Sequence, residues 1–234
     1  MTASMPIKAV LFDLDGTLVD SARDLAETLN RLLAEEGVAA LSLEAVKDMI
    51  GDGVGKLVER GLGAVGADPS RAPALTPRFL QLYEEHAARH TRPYPGVAEA
   101  LEQLRHRGLR LGVVTNKPTG PTLEILKAFA LARFFDAVVC GDTLPKRKPD
   151  PAPLLVAAAR LEIAPAETIM VGDNYHDVAA ARAAAMRVMI VTWGYLRGCS
   201  EKLGVDCILQ SFADLPQAIA ALGRRAPRDS VLRT

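Results

Sequence analysis

Short, continuous runs of apolar and often β-branched residues recur along the chain: AVLF (9–12), LRLGVVT (109–115), DAVVC (136–140), TIMVG (168–172), RVMIVT (187–192) and DCILQ (206–210). A strand with one face in water alternates apolar and polar residues; these runs do not alternate, so they predict strands covered on both faces. Between them lie segments with apolar residues three and four apart, Val97–Arg107, Pro121–Ala130, Pro153–Leu161 and Val178–Ala184, which is the spacing of one helix face. The alternation of strand and helix predicts an α/β fold, a doubly wound parallel sheet with helices on both sides.

The rhythm breaks after the first run. From Val19 to about Tyr94 the pattern is helical throughout, in SARDLAETLNRLLAEEG, SLEAVKDMI, VGKLVERGL and PRFLQLYEEHAARH, with glycine and proline at the joints and no convincing strand. The expected division is an all-helical domain over 19–92, inserted after the first strand of an α/β core made of 1–18 and 93–234. TRPYPG (91–96) reads as the return hinge, and the polar, basic GRRAPRDSVLRT (223–234) as a frayed terminus.

Composition narrows the possible partners. Of 234 residues, 49% are hydrophobic and 24% charged, with 28 basic and 28 acidic side chains. Zero net charge argues against a nucleic-acid or membrane-surface partner held by bulk electrostatics and favours small-molecule work; whether the chain acts as a monomer or homodimer is left open by the sequence. Three cysteines, Cys140, Cys199 and Cys207, without a CxxC pair fit buried filler in a reducing compartment. The start shows no basic n-region followed by an apolar stretch, and no apolar run nears the roughly 18 residues that span a bilayer, so a cytoplasmic location is expected.

Four polar clusters stand at or shortly after strand ends: DLDGT (13–17), TNK (115–117), KRKPDP (146–151) and GDNYHD (172–177). In open parallel sheets ligands bind beyond the carboxyl ends of the strands. Residues two apart in an extended segment point the same way, so Asp13 and Asp15 can face one site. Paired carboxylates repel unless a cation or a shared proton relieves them. A third acid after another buried strand, Asp173, completes a set of oxygen donors suited to Mg²⁺. Such a site serves a phosphate ester: one acid of the pair can act as nucleophile and the other as proton donor and acceptor. The Thr115 hydroxyl and the Asn116 backbone amide are candidate phosphate donors, with Lys148 as a fixed positive charge. Taken singly, Thr115 also fits a helix cap and Lys148 a solvated loop lysine.

Taken together and in this order, DLDGT, VVTNKP, KRKPDP and VGDNYHD resemble the four motifs of the haloacid dehalogenase superfamily. The resemblance implies Asp13 as nucleophile and Asp15 as acid/base, with Thr115 and Lys148 contacting phosphate. It implies a Mg²⁺ ion held by the Asp13 carboxylate, the Asp15 backbone carbonyl and Asp173. Asp177 would be a further motif acid, near the metal or paired with Lys148. The helical insertion resembles the superfamily's cap domain of the first type, which closes over the site. Its segment IGDGVGKLVERGL (50–62), with VTNKPT and TWGY, is most similar to the phosphoglycolate phosphatases, which implies 2-phosphoglycolate as substrate and a substrate carboxylate met by Lys56 and Arg60.

Asp15 argues against relatives that cleave carbon–halogen or phosphonate bonds, because a leaving alkoxide needs an acid and a leaving halide does not. Phosphatases of other small metabolites, a phosphosugar mutase and a catalytically silent binding protein on the same fold remain as alternatives. Two positions depart from the pattern: Asn174 replaces a frequent serine, and Ala184–Ala185 a frequent Ala-Gly that bears on how the preceding helix ends. GLGAVG (61–66) lacks the preceding strand of a dinucleotide fingerprint, and GVGKL (53–57) lacks the other glycine and the hydroxyl residue of a phosphate loop. His176 reads as a polar first-turn residue, and His86, His90 and His106 as helix-surface residues.

Overall fold

The computed structural model describes residues 6–84, 86–195 and 203–223; Cys199 and the basic tail beyond Gly223 lie outside the described residues. Six strands form one parallel sheet: β1 (Ala9–Phe12), β4 (Arg110–Val114), β5 (Ala137–Val139), β6 (Thr168–Gly172), β7 (Arg187–Val191) and β8 (Cys207–Leu209). The spatial order is β5-β4-β1-β6-β7-β8, all parallel. The chain winds from β1 out to β5, then returns to β6 on the other side of β1 and winds the opposite way. Strand order therefore reverses beside the end of β1, where such sheets open a crevice.

Alternate strand residues feed opposite layers, as the period of a strand requires. Val10, Phe12, Leu111, Val113, Ile169 and Val171 join one apolar cluster with helices α5 (Val97–His106), α6 (Thr119–Ala128) and α9 (Leu215–Gly223). Ala9, Leu11, Val114, Met170, Val188 and Ile190 join the other with α7 (Ala152–Arg160) and α8 (Tyr175–Ala183). All four residues of β1 are fully buried, so both faces of the central strand are closed. At its end α8 places Ala185 at φ 55°, with Met186 N–H donating to the Ala181 carbonyl. The helix thus terminates in the left-handed turn that glycine usually supplies, at a cost of about 1 kcal/mol for an alanine.

Between β1 and α5 the chain forms helices α1 (Ala22–Glu35), α2 (Leu43–Lys47), α3 (Val54–Ala64) and α4 (Ala72–Glu84). Leu25, Leu29, Leu32 and Leu33 of α1 meet Leu57, Val58 and Leu62 of α3 and Phe79, Leu82 and Tyr83 of α4 in a third apolar cluster, separate from the two that flank the sheet. The expectation of no strand in this stretch fails at its two ends. β2 (Val19–Asp20) and β3 (Arg92–Pro93) pair antiparallel, tying the exit of the helical segment to its return. Two-residue strands, one ending in proline, leave no periodicity to read. The buried Asp24 carboxylate braces this junction, accepting from the His90 and Thr91 amides and the Thr91 hydroxyl. α4 begins five residues before Pro77 and runs through it, and His86 and His90 fall in turns beyond it.

Candidate active site

The carboxyl end of β1 supplies Asp13, Leu14 and Asp15, and Gly16 then turns the chain at φ 80°. A Cβ at Gly16 would lie 2.3 Å from an Asp173 carboxylate oxygen, so only glycine lets the first loop and the loop after β6 approach this closely. Asp13 accepts the Leu14 amide at 2.7 Å and stands 3.0 Å from Lys148 Nζ. Lys148 is 3% exposed. Its ammonium also donates to Asp177 Oδ1 and to the Val114 carbonyl, both at 2.7 Å. Lys148 is therefore a buried counter-ion, and the solvated-lysine reading is excluded.

Asp173 follows β6 and Asp177 lies in the first turn of α8. Asp177 Oδ2 accepts the Asp173 and Asn174 amides at 3.1 and 3.2 Å, while the Asn174 side chain caps the same helix. This capping box aims Asp173 at Asp13. A Cβ at Gly172 would sit 2.2 Å from Asp177 Cγ, so the glycine at the end of β6 makes room for that fold-back. Asp173 in turn accepts the Tyr195 amide at 2.7 Å and the Asn174 side-chain amide at 3.1 Å.

Carboxylate oxygens of Asp13, Asp173 and Asp177 lie within 4.8 Å of one another, and all three residues are buried. Burial, reinforced by Asp177 and Asp15 and opposed by Lys148, raises the Asp13 carboxyl to about 7. Burial and the charges of Asp13 and Asp177 push Asp173 well above the carboxylate range. Burial depresses Lys148, yet Asp13 and Asp177 outweigh it and the ammonium is held more firmly than usual. Three acids face one buried ammonium, an excess of negative charge that suits a hard divalent cation. Asp177 is committed to Lys148 and two amides, which leaves Asp13 and Asp173 as the carboxylates open to such an ion. Asp15 is not in this cluster: its carboxylate bonds Ser21 Oγ and Lys117 Nζ. It can join an ion there only through its backbone, as the resemblance implies.

Thr115 and Asn116 follow β4. Thr115 is buried and its hydroxyl accepts the Lys117 amide at 3.2 Å; the N-cap of α6 is Pro118, so Thr115 does not fill the capping role. The Asn116 side chain accepts from Lys148 N and donates to the Lys148 and Gly51 carbonyls, locking two core loops to a loop of the helical segment. Above these polar groups runs a cleft whose other wall is Leu25, Ile50, Val54 and Leu57. A polar floor under an apolar roof strengthens every charge interaction within it.

Lys56 does not line this cleft. On α3 the residues 54, 57 and 58 face inward, so position 56 points away, and its ammonium pairs with Glu59 at 2.7 Å at the surface. Arg60 bonds Asp52 at 2.5 Å and the Met49 carbonyl at 2.9 Å, and borders an adjoining groove with Asp173, Asn174 and His176. His176 is more than a first-turn polar residue, since its Nε2 meets Asp52 of the helical segment at 2.5 Å. Sequence reasoning missed Lys117, Ser21 and Tyr195. Lys117 and Tyr195 stand inside motifs already singled out, TNK and TWGY, and their two-residue and end-of-strand spacing to Thr115 and β7 was the available signal.

The doubly wound sheet with its acids at the strand-order reversal has the layout of a hydrolase on a Rossmann-like core. Residues 10–191 match the family described as haloacid dehalogenase-like hydrolase, and the chain belongs to that family. It is 45% identical over 219 residues to a phosphoglycolate phosphatase of Nitrosospira multiformis, covering 92% of this chain and 96% of the relative. A phosphoglycolate phosphatase of Thiobacillus denitrificans is 43% identical over 216 residues, covering 90% and 94%. Among solved structures, a predicted phosphoglycolate phosphatase from Haemophilus somnus 129pt superposes with a TM-score of 0.85 at 33% identity, covering 90% of this chain and 97% of that one. No helix among the described residues is long and apolar enough to cross a membrane.

Proposed function

We propose that this chain is a Mg²⁺-dependent phosphatase of 2-phosphoglycolate that works through a phosphoaspartate. The carrying observation is the Asp13 carboxylate: buried, paired with Lys148 at 3.0 Å and facing a cleft it shares with Asp15 and Thr115. In this reading an Asp13 oxygen attacks phosphorus as the ester P–O bond breaks, and Asp15 gives its proton to the departing alkoxide. Water then attacks the phosphoaspartate, Asp15 takes the water's proton, and Asp13 and inorganic phosphate are restored. The Thr115 hydroxyl, the Asn116 backbone amide and the Lys148 ammonium bind the phosphoryl oxygens, and Asp177 holds Lys148 in place. Asp13, Asp173 and the Asp15 carbonyl would hold the ion. Bound there, Mg²⁺ supplies positive charge that lets an anionic ester approach these carboxylates.

Residues 19–92 act as a cap over a core of 1–18 and 93–234, excluding water from the cleft. The substrate assignment rests on similarity to the Nitrosospira and Thiobacillus enzymes over most of the chain. It is tested by kcat/KM with Mg²⁺ on 2-phosphoglycolate, hexose and aminosugar phosphates, pyrophosphate and β-glucose 1-phosphate. A preference of about 100-fold for 2-phosphoglycolate, about 2.7 kcal/mol of differential transition-state binding, is expected. A sugar phosphate on top would overturn the substrate, and conversion of β-glucose 1-phosphate to the 6-phosphate would make the protein a mutase.

A further inference from the structure

Lys117 is an internal lysine with no part in the scheme above. Its side chain is 2% exposed. It lies 3.0 Å from Asp15 Oδ1, 3.2 Å from Asp15 Oδ2 and 2.5 Å from the Tyr83 hydroxyl. An ammonium has three N–H donors and no acceptor, and those of Lys117 are directed at the Asp15 carboxylate and the Tyr83 hydroxyl. Tyr83 is itself fully buried on α4, inside the apolar cluster of the helical segment, with its ring against Phe79 at 5.8 Å. Lys117 Nζ also stands 4.5 Å above that ring. The remaining Asp15 contact comes from Ser21, at the junction where the helical segment begins. The plane of the Asp15 carboxylate is thus fixed by one core residue anchored on α4 and by one residue at the junction.

We propose that Lys117, anchored on Tyr83, is the positioning residue that aims the Asp15 carboxyl at the leaving-group oxygen, so that proton transfer depends on α4 being seated against the core. The inference rests on Asp15 being the acid/base. A general acid must be held within hydrogen-bond reach of the oxygen it protonates. A carboxylate on its single methylene can still rotate about the Cβ–Cγ bond, and contacts to both oxygens hold that rotation. Lys117 ties both.

The test compares an alkyl ester, 2-phosphoglycolate, with p-nitrophenyl phosphate, whose leaving group needs little protonation. Lys117→Met keeps the apolar stem; Lys117→Met/Tyr83→Phe also removes the hydroxyl that the first change strands, and melting curves report folding of both. Expected is a fall in kcat of about 10- to 100-fold on the alkyl ester and under about threefold on the aryl one, since positioning carries part of a general acid's share. In an Asp15→Asn background the lysine change should cost under about twofold, because the group it aims is gone, and Lys117→Arg should restore part of the selective loss. If Asp15→Asn itself slows both esters equally, the acid/base reading fails. If Asp15→Asn is selective but Lys117→Met slows both equally, or costs its full factor in the Asp15→Asn background, only this inference is overturned. It is also overturned if the loss is confined to KM for 2-phosphoglycolate, which would make Lys117 a reader of the substrate's carboxylate.

Discussion

The α/β core gathers charged groups into one buried cluster, whereas the helical segment, apart from the buried Asp24 at its junction, keeps its ion pairs at the surface. In the core, Asp13, Lys148, Asp173 and Asp177 are each under a tenth exposed and contact one another. In the helical segment the ion pairs Arg23–Glu27, Lys56–Glu59, Arg71–Glu36 and Arg78–Glu35 stand at the surface, each with its basic side chain at least 47% exposed. Exposed pairs contribute about 0–1 kcal/mol. Buried charges cost several kcal/mol each unless paired or metal-bound, so a fold keeps them only where they do something else. On the proposed scheme the chemistry sits in the core, and the helices contribute an apolar wall to the cleft and a small number of specific bonds to it.

The largest test of this contrast is Asp13→Asn. An amide has the shape of the carboxylate but no nucleophilic oxygen, so turnover is expected to fall by about 10⁴-fold or more, while removal of one of three crowded acids leaves the melting temperature unchanged or raised. Retention of more than about a hundredth of the rate in purified variant, measured with a saturating ester, would mean that Asp13 is not the nucleophile.

Next in size is the response to pH and Mg²⁺. Asp13 goes from 3.8 unfolded to about 7 folded, and Asp173 is raised in the same direction. A raised acid binds its proton more tightly in the folded chain, so the metal-free protein should lose stability as pH climbs from about 4 to about 7. Lys148 is raised from 10.5, and its contribution stays whole below that value; it does not alter the trend in this window. A divalent ion relieves the same crowding. At pH 7.5 and 100 times its dissociation constant, Mg²⁺ should add about 2.7 kcal/mol, or roughly 5–10 °C in melting temperature. At pH 5, where the ion must displace protons, the shift should be smaller. An equal shift at both pH values would show that the ion does not bind at the crowded acids.

These contrasts also explain what the sequence discloses. β1, β4, β6 and β7 are legible because a strand buried on both faces is apolar along its length, with a polar residue only at the start, as at Arg110, Thr168 and Arg187. The motif acids are legible because they follow those strands directly. Lys148 is not legible by itself: nothing local separates a buried lysine from a solvated one, and only the return of the chain past β1 brings it to Asp13 and Asp177. The β2–β3 ribbon is too short to carry a period, and α9, LPQAIAALG, is a short helix whose buried face rests on Leu215, Pro216, Ile219 and Leu222. Lys117 was hidden for another reason. Its partners, Asp15 and Tyr83, are 102 and 34 residues away, and only folding brings them together.

The smallest expected effects lie in the helical segment, and they separate its two kinds of charge. Asp52 accepts from Arg60 and meets His176 of α8, each at 2.5 Å, with a quarter of its side chain exposed. It is one of the bonds that join the two regions beside Asp173. Asp52→Asn should weaken both contacts by about 1 kcal/mol in all, raising KM for 2-phosphoglycolate about fivefold with kcat nearly unchanged. Lys56 is only four positions further along the chain, but it bonds Glu59 on the outer face of α3. Lys56→Met should leave KM within about twofold, the range of an exposed i,i+3 pair. A KM for 2-phosphoglycolate that rises tenfold in Lys56→Met would bring that lysine into the cleft during turnover. The helical segment would then supply charge to the substrate as well as a roof, and the division drawn between the two regions would not hold.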